Sequence, residues 1–551
     1  MSDNEHENTP NTSGSDDTRQ SDQEPSQLEN WSPVTEAMRT HGDPRFTKRG
    51  NPIDPPDKGT ALSRMIAVVA TIFVVAFVVV WQNTPDETLQ AIVYGKTTPQ
   101  EQKAPKADEP APGNYGQVDL LGRIFLRGLD WFDDPQFNIM KQMDPQGMLH
   151  IPEDRVRLIM ISAEFEGTEA ALKRLEEFRL EALDIGEHEE EDELSISVST
   201  DDLVLQELNI LRTLYTDGRD ALTDDEQQQL KDRYGYVGHV SLTHGMAETD
   251  PLRAELTSGF GSLMWFLVLV GLVLLLGPLS GLVLLIFGII SFSTGRMKMR
   301  ARIPKPGGSI YLETYTLFVL GFCIMAVTTF LISHSAYPEL AAFSLIAQWL
   351  LLLTVFWALL RGAGLSDWKQ ATGWHTGEGV FKEIGCGIIA YLASIPIYII
   401  GVIITAILLV TKEMIATNAN NGVPPEPEPM TNPVFEMVAS GDMFMILFLF
   451  VLATTWAPIV EESIFRGALY RHLRGRLHWV PTAIVTGVLF AFMHDYGPLM
   501  VAPLIALGFM FAFMREWRGS IIAPMVAHFI HNFTLMSFMI MLVQLIKDPV
   551  G

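Results

Sequence analysis

Residues 443–466 read MFMILFLFVLATTWAPIVEESIFR: eighteen positions without a formal charge, then two adjacent glutamates, Glu461 and Glu462, and one helical turn later an arginine, Arg466. The uncharged part approaches the roughly 20 residues that cross a bilayer as an α-helix. It therefore reads as a membrane span that carries ionisable groups on its second half. The rest of the C-terminal half repeats the pattern. Apolar runs at about 262–292, 312–333, 340–360, 384–411, 480–496, 499–514 and 521–546 each suit a span. With an earlier run, Met65 to Trp81, they predict an all-α, polytopic transmembrane helical bundle of roughly nine crossings.

Composition agrees with that division. Apolar residues make up 48% of the 551, charged ones 19%, and the formal net charge is −25. Charge and hydrophobicity must then occupy different parts of the chain. The acids crowd the first half. Nucleic acid is excluded as a partner, because phosphate binding needs clustered Lys and Arg. The two cysteines, Cys323 and Cys386, lie in or beside apolar runs and read as small buried fillers.

Residues 1–60 are polar and nearly free of aliphatic side chains, which predicts a disordered tail. Arg45, Lys48, Arg49, Lys58 and Arg64 precede the first span, residues 65–81, and by the positive-inside rule place the tail in the cytoplasm. Residues 83–258 then form an acidic, mostly α-helical hydrophilic insert on the other side of the membrane. Within it, Thr97 to Gly113 reads as a linker and Glu187 to Glu193 as a solvated acid run. Helices are expected around Leu120–Leu129, Asp154–Leu183, Asp201–Tyr215 and Asp224–Tyr234, the last opened by a capping box from Thr223 to Glu226. Residues 262–379 hold further spans and a basic cytoplasmic loop with Arg296, Lys298, Arg300, Arg302 and Lys305. Gly277-Pro278 allows the stretch 262–292 to be a kinked helix or a hairpin.

Ionisable side chains within apolar helices are costly and mark function. They concentrate in three places: Pro458-Ile-Val-Glu461-Glu462-Ser-Ile-Phe-Arg466-Gly467, Phe490-Ala-Phe-Met-His494, and His528-Phe-Ile-His531-Asn532. Residues four apart share a helical face, so Glu462 can pair with Arg466, and His528 stands in line with Asn532. Glu461 points about 100° away from Glu462 and is free to face the bundle interior. Phe490, one turn before His494, can wall a pocket. Each element alone has a plain structural reading: an interfacial acid pair before Arg466, Arg471, Arg474 and Arg476, or a packed histidine. Together they offer a carboxylate, two imidazoles and an amide to one cavity. Counted from the apolar edges, however, Glu461 and His528 fall within about 10 Å of the cytoplasmic face, and His494 falls in the outer half.

These three motifs resemble those of the CPBP (CAAX protease and bacteriocin-processing) family, which includes the Rce1-type CAAX prenyl endopeptidase and bacteriocin-immunity homologues. The resemblance covers about residues 380–546, which it defines as an intramembrane peptidase core. It implies an endopeptidase acting on a membrane-associated protein or peptide substrate at the bilayer. It implies Glu461 as the base that activates water, with His494 helping to hold the water. His528 and Asn532 would stabilise the oxyanion, and Glu462 with Arg466 would be the supporting pair, beside Phe490. No cofactor is favoured. Zinc on Glu461, His494 and His528 is the alternative, and the adjacent amide together with the lack of a His-Glu-x-x-His helix argues for the metal-free mechanism. A non-enzymatic scaffold or bacteriocin-immunity-type protein that keeps the fold is the second reading. A proton-relaying transporter ranks last, since no internal repeat is visible. The expected location is the plasma (inner) membrane, crossed many times.

Overall fold

The computed structural model describes residues 53–94, 117–128, 152–189, 198–335, 343–419 and 443–546, apart from positions 55, 85, 259 and 495, together with 337, 340 and 437–438. The polar stretch 1–52, the linker Thr97–Gly113 and the acid run beyond Glu189 lie outside the described residues. All elements named below belong to the compact unit Pro55–Gly551 and are helices, numbered in chain order among the described residues.

After α1 (Ala61–Gln82) and the short α2 (Asp86–Tyr94) comes the hydrophilic insert. Its described helices are α3 (Gln117–Leu126), α4 (Pro152–Phe165), α5 (Thr168–Glu189), α6 (Val198–Asp217), α7 (Asp224–Ser241) and α8 (Pro251–Thr257). The single expected helix over Asp154–Leu183 is two helices, because Gly167 at φ 89° turns the chain between α4 and α5. The expected capping box is present: Thr223 accepts from the Glu226 N–H, and Glu226 accepts from the Thr223 N–H. The insert has a core of its own, in which Val156, Ile161, Leu175, Leu208, Leu211, Leu230 and Val240 are buried together.

The membrane part holds seven helices long and apolar enough to cross a bilayer. These are α1, α9 (Phe260–Ser293), α10 (Ile310–Ser333), α11 (Phe343–Leu360), α13 (Val380–Ala419), α14 (Met443–Arg474) and α17 (Ile522–Ile546). The Gly277-Pro278 pair lies within one continuous helix, α9, and makes no hairpin. Short α12 (Leu365–Thr372) precedes α13. Seven is fewer than the nine expected, and the reason is length. α15 (Trp479–Ala491) has 13 residues and α16 (Ala502–Arg518) has 17, so α15 reaches only about 20 Å at 1.5 Å per residue. The two pair closely instead. A methyl placed on Gly508 would come within 2.7 Å of the Gly487 Cα, so the crossing exists only because both positions are glycine.

α1 packs on α10, α9 on α13, and α13 on both α16 and α17. α14 is not a regular helix. It has two π-helical stretches, Leu452–Trp456 and Glu462–Leu469, on either side of Ala457–Glu461. π-bulges of this kind are frequent at functional sites.

Candidate active site

α14 runs on past Arg466 to Arg474, which overturns the depth count made from the sequence. The arginines that suggested a membrane boundary are internal partners. Arg466 is fully buried against Glu462, Arg471 grips Asp57 at 2.8 and 3.0 Å, and Arg474 meets Glu516 at 3.0 Å. Glu461 therefore lies thirteen residues, or about 20 Å, from the Arg474 end of its helix. Phe490, at the far end of α15, lies at a similar depth counted from the same loop. α17 also starts inside the protein. The Ile521 N–H donates to the Gly373 carbonyl at 3.0 Å, the Ser520 hydroxyl donates to the His375 carbonyl at 2.7 Å, and both Ser520 and Ile521 are buried. Six residues later His528 reaches the level of Glu462.

The residues then meet. One oxygen of Glu462, Oε1, accepts from Arg466 Nη1 at 2.9 Å and from His528 Nδ1 at 3.0 Å. A carboxylate only accepts, so Nδ1 carries the hydrogen and Nε2 is turned to the other side of the ring. There Nε2 faces Glu461 Oε2 at 3.9 Å. That separation is too long for a direct hydrogen bond. Glu461 Oε2 is buried and has no hydrogen-bond partner among the described residues, although 16% of the Glu461 side chain is exposed. A buried carboxylate oxygen left without a donor is costly and needs a reason.

Phe490 is the centre of the aromatic wall. Its ring meets His494 at 4.9 Å, His528 at 5.8 Å and Phe465 at 5.3 Å, each edge to face, while the Arg466 guanidinium sits 4.4 Å above it. The stack of cation on ring stabilises a charge that has left water. His494 is joined to the group through Phe490. Its Nδ1 is 2.9 Å from the Phe490 carbonyl, to which it donates. Asn532 stands one turn after His528 on α17, and its amide donates to the backbone carbonyl of Ala453 at 2.8 Å. His531 faces Tyr391 and Tyr398, with its ring 5.4 Å from that of Tyr398.

Three contributors were missed from the sequence. Phe511 stacks on His528 at 5.3 Å, the Gly508 carbonyl accepts from Arg466 Nη2 at 3.2 Å, and Trp374 donates to Ser463 at 3.0 Å. Phe511 and Gly508 carry no signal among so many apolar neighbours. Among the described residues no group of three or more His, Cys, Asp or Glu side chains is gathered that could hold a metal ion.

The fold and this cluster define a polytopic membrane protein with a carboxylate–imidazole site buried between its helices. Residues 443–534 match the family model of the type II CAAX prenyl endopeptidases, Rce1-like. The matched segment begins with α14 and ends within α17, so it takes in every group of the cluster except Trp374. No curated protein and no solved structure matches the chain.

Proposed function

We propose that this protein is an intramembrane endopeptidase that hydrolyses peptide bonds of membrane-associated substrates with a water activated by Glu461. The observation that carries the reading is the unpartnered Glu461 Oε2 set 3.9 Å from an imidazole whose other nitrogen is fixed on Glu462. A water at an ordinary hydrogen-bond distance of about 2.8 Å from both atoms closes a triangle on that base. Such a water donates one hydrogen to Glu461 Oε2 and the other to His528 Nε2, which leaves its lone pairs free for attack.

The chemistry follows from this placement. Glu461 takes the proton as the water adds to the scissile carbonyl, and later gives it to the leaving amine. The charge that develops on the carbonyl oxygen needs a donor, and Nε2 of His528 or of His494 becomes one only on taking up a second hydrogen, because Nδ1 of each already donates to the Glu462 carboxylate or to the Phe490 carbonyl. Arg466 neutralises Glu462 so that Glu462 orients His528 without competing as base. The reaction needs no metal. The Rce1-like match of residues 443–534 supports substrates of the prenylated CAAX type. The basic residues before α1 and after α9 support a plasma (inner) membrane protein with a cytoplasmic N-terminus and the insert outside.

The test is proteomics of membrane fractions from cells carrying the wild-type protein or Glu461→Ala. New C-terminal ends that depend on Glu461 support the reading. Identical peptide ends in both, with equal amounts of protein in the membrane, would sink it.

A further inference from the structure

We propose that Asn532 is a positioning residue: its amide gives the Ala453 carbonyl the hydrogen bond that Pro458 cannot supply, and so fixes the helix break in front of Glu461. The inference rests on the peptidase reading for its catalytic consequence, but its structural core stands without it.

The bookkeeping of backbone donors is the argument. In the first π-helical stretch of α14 the Ala457 N–H donates to the Leu452 carbonyl, a step of five residues. The next carbonyl in that register is Ala453, whose donor would be residue 458. Residue 458 is proline, which has no N–H. Inside a bilayer no water is at hand to replace it. Asn532 Nδ2 lies 2.8 Å from that oxygen and donates to it across the α14–α17 contact. One turn earlier on the same face of α17, His528 donates to Glu462. Two bonds from one helix face thus hold α14 on both sides of the break, at Ala453 and at Glu462. Glu461 lies between them, three residues after the proline. The break turns the carboxylate out of helical register, and the amide keeps the turn in one place. One N–H of the amide is taken by that carbonyl, and the effect of Asn532 on turnover lies in this bond, through Glu461, and not in the second N–H.

Pro458→Ala makes the proposal testable, because alanine returns an N–H to Ala453. The full chain in detergent is compared as wild type, Asn532→Ala, Pro458→Ala and the double variant, each also in a Glu461→Ala background. Asn532→Ala is expected to lower Tm by a few degrees, and Pro458→Ala to remove most of that loss. With a farnesylated CAAX-type peptide as probe, Asn532→Ala lowers kcat roughly ten- to hundred-fold at nearly constant KM. The double variant turns over within about three-fold of Pro458→Ala alone. Equal losses of Tm from Asn532→Ala with and without the proline overturn the proposal, as does a loss of kcat with no loss of Tm. Absence of cleavage by the wild type counts against the probe's substrate class alone, and the Tm coupling in the Glu461→Ala background still decides.

Discussion

Glu461 and Glu462 are neighbours in the chain, yet their surroundings give them opposite tasks. Glu462 is fully buried and holds Arg466 and His528 through one oxygen, its other oxygen also lacking a hydrogen-bond partner among the described residues. Glu461 keeps an oxygen without any partner. Glu461→Gln is therefore expected to cut turnover by at least about a hundred-fold, because the base is gone. Its Tm should hold or rise, since an uncompensated charge has been removed. A heat-unfolding scan beside a cleavage assay checks both, and a variant that still cleaves at the wild-type rate refutes the assignment. Arg466→Ala should behave in the reverse way. It strands a buried carboxylate and empties the space between Phe490 and Phe511, so a loss of about 3–5 kcal/mol is expected. The readout is a collapsed Tm in detergent, and an unchanged Tm would show that Glu462 has another counter-charge.

At the scale of elements, two devices bring the site together: the broken α14 and the short hairpin of α15 and α16. The hairpin works because Gly487 and Gly508 let two backbones touch, which carries Phe490 and the Gly508 carbonyl to Arg466. Gly508→Val would force α15 and α16 apart and pull the aromatic wall off both histidines. Overpacking of this kind costs about 1–3 kcal/mol. A lowered Tm together with lowered turnover is the expected pair of results. A Gly508→Val protein with wild-type Tm would mean that α15 and α16 do not depend on a glycine-to-glycine crossing.

Over the whole molecule, the end of the bundle that carries the arginines is closed by a charged network. Arg518 meets Glu383 and Glu378 at 2.7 Å each, and Glu378 also meets Arg300 and Lys382. This joins the loop after α12 to the α16–α17 turn, beneath which α17 begins. The hydrogen bond from Arg518 and then that from Lys382 hold the Glu378 carboxyl down at about 2, against an ordinary 4.5. A depressed carboxylate stabilises the fold fully above its unfolded value. That contribution is lost as pH falls through about 2. Wild type should then be more stable than Glu378→Gln at neutral pH, and the difference in Tm should shrink between pH 4.5 and 2. A difference that stays constant over that interval would remove Glu378 from the network. The described helices of the insert bury a core of their own.

Much of this protein is set by sequence that acts locally. Uncharged runs of 18 or more residues have one solution in lipid, which is why α1, α9, α10 and α14 lie where their hydropathy puts them. The Glu462–Arg466 pair and the Thr223 capping box are likewise matters of helical spacing. What needed the tertiary structure was every question of depth and of donor allocation. Arg466, Arg471 and Arg474 look like a membrane boundary until Glu462, Asp57 and Glu516, the last two 414 and 42 positions away, are seen to pair with them. Asn532 looks like a partner of His528 until the missing N–H of Pro458 claims its amide. Spacing along a chain fixes which side chains share a face. It says nothing of which distant group will satisfy them, because that depends on how helices far apart in sequence come to lie side by side.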